Sequence, residues 1–546
     1  MKSVKSTPAR STSSLALFGG ILISGLATFG AYKFGQHQAL LNIPADVFPQ
    51  GSTTKLGDIS PPTYCTDEEL STAIGEVKKT IGGHKVFNTP VEIESHGTSE
   101  FTTHAPKPHQ RPKYVVYPEL TEDVVSIMKI MYEYNVPVVP FSGGTSLEGH
   151  FFSTRSQSVV VDTTKMKKVI AIHEDDLDAV VEAGVNWQDL NQLLEPHNLM
   201  FGPDCGPSAL IGGMVSTNAS GINAARYGSM VSNVVSLTVV LADGTVIKTK
   251  QRPRKSSAGY NLAGLIVGSE GTLGIVTEAT VKLHVKPVKE TVCVGQFATV
   301  SDATNAVAQI YRKGLNPNAI ELLDKDMMHC INYSGYFTRE WLEVPTIFFK
   351  IGGINDIVVK EQVKEIEKIT SKNNCHDFLY AKNDEEKEEL FSARKNAFFA
   401  ILDYGRNEID PNVRLWVTDM AVPLSKLPPV LAKLEKMVRN SGLQSILLGH
   451  VGDSNIHFDI FYTEETKNKC EKIINEMMLL GLANEGTSSG EHGIGNGKRR
   501  YLELELGTET VDLMRRVKFA LDPKRILNPD KIFKIDPEDD EIIYFI

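Results

Sequence analysis

The sequence has few cysteines and lacks any pair of them in a C-x-x-C motif. The six cysteines are scattered along the 546 residues: Cys65, Cys205, Cys293, Cys330, Cys375 and Cys470. A zinc ribbon, a dithiol redox centre and a disulfide scaffold are therefore not indicated. A net positive charge is also missing. The formal charge of −10 at pH 7 argues against a nucleic-acid partner, which would require a basic face.

Acidic residues are absent from the first 45 positions. The first acid is Asp46, and four basic residues precede it: Lys2, Lys5, Arg10 and Lys33. Removing these four from the 57 basic residues leaves 53 against 67 acidic ones, a net charge of −14. Residues 1–45, the head of the chain, are therefore basic, whereas the remainder, its body, is acidic.

The head is typical of a mitochondrial targeting segment. Residues 1–14 are basic and rich in serine and threonine, as presequences are. Residues 15–32 are uncharged, and a stretch of this length is at the short end of the ~17–25 residues that span a bilayer. We expect a presequence with a possible membrane anchor at 1–35, followed by a linker and N-terminal segment at 36–109. The alternative is a secretory signal peptide, whose apolar core is usually shorter.

A strand–helix–strand pattern begins near residue 113 and ends in a glycine-containing loop. The pattern runs through KYVVYP, an amphipathic helix that starts after Thr121 as its expected N-cap, and VPVVPF, and it is followed by SGGTSLEGH. The adjacent Gly143 and Gly144 allow a tight turn whose N–H groups and hydroxyls can bind phosphate oxygens. The loop has neither the lysine of a P-loop nor the Rossmann spacing, so taken alone it is more typical of a plain turn than of an anion site.

Two more glycine-rich segments follow, at residues 202–228 and 259–276. Of the 43 glycines in the chain, 16 fall between residues 140 and 276. Three such loops indicate that the backbone approaches a large polar ligand closely at several points. The alternative is a set of tight turns between short strands.

These three segments, in this order and spacing, resemble the flavin domain of the vanillyl-alcohol-oxidase-like, PCMH-type flavoproteins. In that comparison SGGTSLEGH corresponds to the pyrophosphate loop. Covalent members often carry a histidine beside this loop, whereas the turn here reads Gly143-Gly144-Thr145, so the resemblance implies non-covalent FAD. The implied FAD contacts are Pro140, Ser142, Gly143, Gly144, Thr145, Ser146, Ser208, Gly213, Ser216, Thr217, Asn218, Gly221, Gly271 and Ile275.

Beyond Pro287 the glycine clusters stop, and strands alternate with helices. TIFFKIGG (346–353) and the run 445–462 are β-rich, whereas 358–372 and 428–441 are amphipathic helices. This pattern predicts an α+β cap domain with an antiparallel sheet.

Two motifs in this second half carry candidate chemistry. His450 and His457 flank a turn sequence between β-rich runs, so we expect a hairpin that makes them cross-strand neighbours. Two imidazoles with a carboxylate form a sound metal site; the alternative is two unrelated histidines beside a surface turn. Glu491 and His492 stand among glycines, an unfavourable composition for regular structure that indicates a chemical role.

The two motifs resemble the FAD-linked 2-hydroxy-acid dehydrogenases, the group that holds D-lactate and D-2-hydroxyglutarate dehydrogenases. The resemblance covers about residues 110–535. It implies that His450, His457 and Glu491 hold a divalent metal, zinc or manganese, and that His492 is the catalytic base.

The same resemblance implies further substrate residues. Arg394 is the catalytic, carboxylate-binding arginine, with a solvated helix residue as the alternative, and Asn455 and Asp459 line the substrate pocket. The implied fold is α+β, with a two-part PCMH-type FAD-binding domain at 110–287 and a cap domain at 288–546. Residues 515–535 are expected to return to the FAD domain.

The implied reaction is oxidation of a D-2-hydroxy acid. The metal orients the substrate, His492 accepts the hydroxyl proton and flavin N5 accepts a hydride. D-2-Hydroxyglutarate enzymes tend to have a lysine near the position of Val417, so we expect D-lactate as the substrate. The segments RKNA (394–397) and TDMAVP (418–423) also resemble the mitochondrial cytochrome-dependent D-lactate dehydrogenases of fungi. That resemblance implies cytochrome c as acceptor, at the inner membrane facing the intermembrane space or the matrix. The acidic body could steer such a basic partner; the alternative is that the acids keep the protein soluble.

Three other functions stay open at this point. A D-2-hydroxyglutarate dehydrogenase would share every motif. A zinc hydrolase could use His450, His457 and Glu491 without a flavin, and a catalytically silent flavin-binding protein is the third.

Overall fold

A computed structural model describes residues 51–99, 102, 106–107, 110–336 and 339–539, apart from the side chain of residue 395. The predicted presequence and apolar segment at 1–35 lie outside the described residues. Within the described ranges, none of the helices combines the length and apolar character needed to cross a membrane.

The strands of the described chain are β1 (Val86–Phe87), β2 (Tyr114–Val116), β3 (Val138–Phe141), β4 (Val159–Asp162), β5 (Val169–His173), β6 (Asp178–Glu182), β7 (Leu199–Phe201), β8 (Val234–Val240), β9 (Val246–Lys248), β10 (Ile275–Val285), β11 (Lys289–Phe297), β12 (Ala319–Leu323), β13 (Thr346–Gly353), β14 (Cys375–Tyr380), β15 (Arg414–Val417), β16 (Met420–Ala421), β17 (Ser445–Gly449) and β18 (Asn455–Tyr462).

The α-helices of the described chain are Asp67–Ile81, Pro90–Ser95, Thr121–Glu133, Trp187–Leu194, Ile211–Thr217, Ala224–Tyr227, Met230–Asn233, Leu262–Ile266, Val300–Arg312, Lys325–Ser334, Asp356–Ser371, Asp384–Lys395, Ala397–Tyr404, Leu427–Ser441, Lys467–Leu482, Arg499–Leu506 and Thr508–Leu521. Short 3₁₀ turns lie at Leu56–Asp58, Gly83–Lys85, Thr163–Lys165 and Glu195–His197, and a π-turn lies at Gly405–Ile409.

The first sheet contains four strands in the order β1-β2-β4-β3 and is parallel except for β1. The predicted strand–helix–strand unit is confirmed, because the helix Thr121–Glu133 follows β2 and precedes β3 along the chain. The helix buries Val124, Ile127 and Met131. This helix begins at Thr121 itself, so Leu120 rather than Thr121 is its N-cap. The spacing of buried residues by three and four positions explains why this segment is a helix.

A segment near the end of the chain extends this first sheet. The N–H of Val138 donates to the carbonyl oxygen of Ile526 at 2.7 Å, and the N–H of Asn528 donates back to the carbonyl oxygen of Val138 at 2.7 Å. These two bonds make a parallel bridge beside β3. A piece of chain remote in sequence therefore helps to hold the strand that leads into the SGGTSLEGH loop.

The second sheet is antiparallel and has the order β5-β6-β10-β8-β9, with β7 also paired to β10. Its apolar face is covered by the helices Trp187–Leu194 and Ile211–Thr217, whose buried leucine, isoleucine and methionine side chains share one core with β6, β8 and β10. The two smaller sheets thus form the two parts of the first half of the molecule.

The third sheet has eight antiparallel strands in the order β14-β11-β13-β12-β17-β18-β15, with β16 paired to β18. One core joins it to the helices Val300–Arg312, Asp356–Ser371, Leu427–Ser441 and Lys467–Leu482. A second core joins it to the helices Lys325–Ser334 and Ala397–Tyr404. The predicted antiparallel α+β second half is confirmed, and so are the strand at 346–353 and the two amphipathic helices.

Candidate functional site

One cavity of about 390 Å³ joins the glycine-rich loops to the histidine motifs. Its lining includes His450, Glu491 and His492 from the second half of the chain. Twelve residues that the sequence predicted as FAD contacts also line it: Pro140, Ser142, Gly143, Gly144, Thr145, Ser146, Gly213, Ser216, Thr217, Gly221, Gly271 and Ile275. The fold therefore brings two motif groups, separated by more than 170 residues, to one space.

Two predicted FAD contacts, Ser208 and Asn218, lie beside rather than on this lining. The side chain of Asn218 accepts hydrogen bonds from the hydroxyl of Ser229 at 3.1 Å and the N–H of Val231 at 2.9 Å. Its φ of 50° is left-handed, a conformation that asparagine tolerates at helix ends. Asn218 therefore shapes the turn after the helix Ile211–Thr217, and its contact with FAD stays a prediction.

The glycine loops form a cradle whose segments pack so closely that side chains would not fit between them. A Cβ atom at Gly143 would lie 2.6 Å from the carbonyl oxygen of Ser208, and one at Gly271 would lie 2.9 Å from Pro140 Cγ. Ser142 Oγ is buried and has no hydrogen-bond partner among the described residues. Closely approaching backbone and an unpaired hydroxyl at the cavity fit a large polar cofactor such as FAD, whose phosphates accept such donors.

Gly143 gives a direct test of this cradle. We expect Gly143→Ala to lower the FAD content of the purified protein and to destabilise it by about 1–3 kcal/mol, because the backbone must shift to admit the methyl group. Gly57→Ala is the control, since Gly57 lies outside the cavity lining and nothing lies within 4 Å of its Cβ position. The bound flavin-to-protein ratio and the denaturation midpoint measure both variants. Equal flavin retention by the two would contradict the assignment.

The predicted hairpin is present, but its two histidines are not paired across the strands. His457 lies opposite Leu448 in the register of β17 and β18, and His450 follows β17 by one residue. Residues two apart on a strand share a face, so His450 is a diagonal neighbour of His457. The ring centroids are 5.5 Å apart at an interplanar angle of 85°.

Glu491 completes a compact group with these two histidines. His450 Nε2 lies 3.0 Å and His457 Nε2 lies 3.4 Å from the same oxygen, Glu491 Oε1. Potential ligand atoms of the three residues all fall within 4.8 Å of one another. The Nδ1 atom of each ring has its own acceptor, Glu321 for His450 and the carbonyl oxygen of Thr418 for His457. This orientation directs both Nε2 atoms inward, which is the arrangement of metal-binding histidines.

The charges of this group reinforce one another. Burial alone would raise the pKa of Glu491, but His450 and His457 outweigh it and hold that pKa well below its usual range. Burial alone would lower the pKa of His450, but Glu321 and Glu491 raise it well above its usual range. The donor set of two imidazoles and one carboxylate suits zinc or a similar divalent cation. The residues present therefore fit the predicted metal.

His492 lies on the other side of His457, with the two rings stacked at 5.1 Å and 13°. Its Nδ1 atom is 4.0 Å from Asp419 Oδ2. Burial lowers the pKa of the imidazole to about 4, although Asp419 opposes this shift. His492 lines the cavity, so a neutral imidazole faces the space between the glycine loops and the metal group.

Asp419 is the central anion behind the site. Its Oδ2 atom accepts hydrogen bonds from the N–H groups of Glu491 at 3.0 Å and His492 at 2.9 Å. Lys498 Nζ lies 3.1 Å from the same oxygen, and Asn455 Nδ2 donates to Oδ1 at 2.7 Å. Burial would raise the pKa of Asp419, but Lys498 and the neighbouring histidines lower it below its usual range. Asp419 thus fixes the backbone that carries both Glu491 and His492.

The loop that carries these residues is also fixed from the glycine-rich half. Glu270 accepts hydrogen bonds from the N–H groups of Ile494 at 2.7 Å and Gly495 at 2.8 Å. The carbonyl oxygen of Glu148 accepts from the N–H groups of Asn496 and Gly497. Both halves of the molecule therefore set the position of His492.

The remaining predicted substrate residues lie just behind the cavity lining. Arg394 Nε donates to Glu321 Oε2 at 2.8 Å, so the guanidinium is bound to a buried carboxylate and is not a solvated helix group. Asn455 donates to Asp419 rather than into the cavity. Burial raises the pKa of Asp459 to about 7, and His457 and Arg394 only partly offset this effect. The structure therefore brings all three residues near the metal group, and their contact with substrate stays a prediction.

Sequence reasoning missed the buried charged residues that support the site. Glu321, Asp419 and Lys498 are each less than a tenth exposed. Glu321 contacts His450, Asp419 accepts from the N–H of His492, and Lys498 donates to Asp419. The available signal was an acid in an otherwise apolar strand, as in AIELL at 319–323. Such residues are rarely buried without a partner.

Two family models match the chain. Residues 112–250 match the one described as FAD binding domain, and residues 286–532 match FAD linked oxidases, C-terminal domain. The chain is 47% identical to "D-lactate dehydrogenase [cytochrome], mitochondrial" of Kluyveromyces lactis, over 97% of this chain and 92% of the relative. It is also 47% identical to "D-lactate dehydrogenase [cytochrome] 1, mitochondrial" of Saccharomyces cerevisiae, over 91% and 86% of the two chains.

A solved structure shows the same fold at low sequence identity. The crystal structure of p-cresol methylhydroxylase with substrate bound superposes with a TM-score of 0.70 at 16% identity, covering 86% of this chain and 98% of the other. This similarity confirms the predicted PCMH-type fold with its two-part first domain and its α+β cap.

Proposed function

The chain belongs to the FAD-linked oxidases and, within them, to the group of mitochondrial D-lactate dehydrogenases, and from that membership we propose that it oxidises D-lactate to pyruvate. One observation carries the proposal. A single cavity is lined both by the glycine cradle and by His450, Glu491 and His492. A cofactor in the cradle and a substrate at the histidines would therefore be in contact.

FAD is proposed to bind non-covalently in the cradle of residues 140–146, 208–221 and 271–275. When bound, it supplies the acceptor, at its N5 atom, for the hydride of the substrate's Cα. The chain's own part is to hold the cofactor with backbone N–H groups and hydroxyls of the cradle. Domain bounds of 110–287 for FAD binding and 288–546 for the cap, with 515–535 returning to the first, are part of this proposal.

A divalent metal, zinc or manganese, is proposed to be held by His450, His457 and Glu491. When bound, it supplies a Lewis acid that lowers the pKa of the substrate's hydroxyl and orients the 2-hydroxy acid. The inward orientation of the two Nε2 atoms, fixed by acceptors on both Nδ1 atoms, supports this assignment.

His492 is proposed to accept the hydroxyl proton. Three features support this role: the imidazole lines the cavity, stacks on the metal-ligand candidate His457 and has the carboxylate of Asp419 4.0 Å from Nδ1. A carboxylate at this position stabilises the imidazolium that forms when the proton arrives.

Arg394 is proposed to bind the substrate's carboxylate, and Asn455 and Asp459 to shape the pocket around it. The planar guanidinium suits a carboxylate better than an ammonium group does. Val417, near the place where D-2-hydroxyglutarate enzymes carry a lysine, provides no charge for a second carboxylate, which favours a monocarboxylate.

Substrate-dependent bleaching of the flavin tests the proposed function. Under anaerobic conditions we expect D-lactate to reduce the bound FAD within seconds, and L-lactate and D-2-hydroxyglutarate to do so far more slowly. Stopped-flow absorbance at the flavin band measures all three. Faster reduction by D-2-hydroxyglutarate would identify the other dehydrogenase of the group, and a purified protein without flavin would favour the zinc hydrolase.

The proposal includes mitochondrial location, with electrons passed to cytochrome c at the inner membrane. The names of the relatives in two yeasts and the acid-free head support the location. The net charge of −14 beyond residue 45 supports attraction of a basic acceptor, although salt screens it beyond ~8 Å.

A further inference from the structure

Glu321 is a fully buried carboxylate in the middle of an apolar strand. It is the single charged residue of β12, whose five residues AIELL are all buried. Its own exposure is 0%. A buried carboxylate is strongly unfavourable unless cations and hydrogen-bond donors compensate for the lost water. The partners of Glu321 therefore indicate its role.

The sheet register brings Glu321 to His450. Leu323 is paired with Leu448 and Leu322 with Gly449 in the antiparallel ladder of β12 and β17. The next position along that ladder places Glu321 opposite His450. The Nδ1 atom of His450 lies 2.8 Å from both carboxylate oxygens of Glu321. Backbone pairing, and not a flexible side chain alone, therefore determines this contact.

The same carboxylate holds Arg394. The Nε atom of Arg394 donates to Glu321 Oε2 at 2.8 Å, and the side chain of Arg394 is 11% exposed. Glu321 itself is absent from the cavity lining formed by the described residues. One carboxylate outside the cavity thus contacts a candidate metal ligand and the candidate substrate arginine at once.

We propose that Glu321 is a positioning residue that couples the metal ligand His450 to the substrate-binding Arg394. The inference rests on the proposed function and extends it to a residue that touches neither metal nor substrate. Because both oxygens of Glu321 face Nδ1 of His450, that nitrogen carries the proton, and Nε2 presents its lone pair to the metal. A carboxylate partner also makes the imidazole a stronger ligand.

The contact with Arg394 acts on the substrate side. A bond from Nε fixes the plane of the guanidinium, and a fixed plane is what a bidentate carboxylate contact requires. Without Glu321, Arg394 would lose its counter-charge and Nδ1 of His450 would lose its acceptor, both in a buried place. Metal affinity and substrate affinity therefore depend on one side chain.

Glu321→Gln separates this role from simple filling of space. The glutamine amide has nearly the same shape but no negative charge, so Nδ1 of His450 loses its anionic partner and Arg394 loses its counter-charge. We expect the affinity of the FAD-loaded, chelator-treated protein for Mn²⁺ or Zn²⁺ to fall by about 10- to 100-fold. We also expect KM for D-lactate to rise, with FAD content unchanged. Titration with each metal alone, in competition with a chromophoric chelator, measures the first effect.

Asp324→Asn is the matched control. Asp324 follows the same strand by one residue and caps the helix Lys325–Ser334 through the N–H of Met327. Asparagine caps helices as well as aspartate does, so this variant removes a nearby carboxylate and keeps the fold. We expect its metal affinity and KM to match those of the unchanged protein.

The outcomes are distinct. Unchanged metal affinity and KM in Glu321→Gln would overturn the inference. If Glu321→Gln does not fold, Glu321→Asp, which keeps the charge but is too short to reach Nδ1, decides the matter in the same titration. If the unchanged protein binds no metal, or if His450→Ala binds it equally well, the proposed metal site fails instead, before Glu321 is in question.

Discussion

Replacing His492 by alanine is expected to slow anaerobic reduction of the flavin by D-lactate by roughly 10²–10⁴-fold, the contribution typical of a positioned general base. The imidazole lines the cavity between the glycine cradle and the metal group, and the described residues that reach it are already engaged with other partners. Asp419, the nearest anion, holds two backbone N–H groups and Lys498. No neighbour is therefore poised to replace the lost base.

The loss of activity in His492→Ala should be confined to the chemical step. FAD content and metal content of His492→Ala should remain those of the unchanged protein, because neither cofactor is assigned to this side chain. His376→Ala removes an exposed histidine of β14 and should reduce its flavin at the normal rate. Near-normal reduction by His492→Ala would refute its role as base, whereas loss of metal or flavin would show that its role is structural.

Replacing Asp419 by alanine is expected to lower the free energy of unfolding by about 3–5 kcal/mol, the range found when one partner of a buried ion pair is removed. The change leaves Lys498 without its nearest counter-charge, at 3.1 Å, and leaves the N–H groups of Glu491 and His492 without their acceptor. The loop with the base and one metal ligand would lose its fixed position. Activity should therefore fall together with stability.

Denaturant unfolding of the FAD-loaded protein, with flavin reduction measured alongside, tests this expectation. Glu195→Ala is the control, since it breaks an ion pair with Lys286 at 2.9 Å in which both side chains are well exposed. Such surface pairs contribute about 0–1 kcal/mol. If the two variants lose equal stability, Asp419 does not organise the site.

The carboxyl of Asp419 also determines the direction in which the stability of the folded protein changes with pH. Its pKa is lower in the folded protein than in the unfolded chain. A depressed carboxyl pKa stabilises the folded state above the unfolded value of about 3.9, and this stability is lost as the pH falls below that value. Near neutral pH the contribution is fully present.

Elements whose pattern is local could be predicted from the sequence. The helix Asp356–Ser371 and the strand Thr346–Gly353 follow from the spacing of their own apolar residues, and both are present. The order of strands could not be predicted. The bridge between Val138 and Leu527, for example, joins residues nearly 400 positions apart, and no periodicity carries that information.

The candidate site likewise contains residues that could be predicted from the sequence and residues that could not. His450, Glu491 and His492 could be predicted because each stands in a conspicuous glycine-rich motif. Glu321 could not, because its signal is one acid in a strand and its partner His450 is 129 positions away. Side chains that support a site are specified by packing between distant segments, and one sequence does not display such pairs.

The bridge beside β3 has a consequence for biosynthesis. Ile526 and Asn528 hold Val138, and Asn528 also donates to the carbonyl oxygens of His150 and Glu270. A growing chain could fold the eight-stranded cap while these residues are still inside the ribosome. The flavin cradle, although it begins near residue 140, can be completed only after residue 528 has emerged. A chain that ended before that point would leave the β3 edge of the first sheet without this partner, and an unpaired sheet edge is prone to pair with other chains.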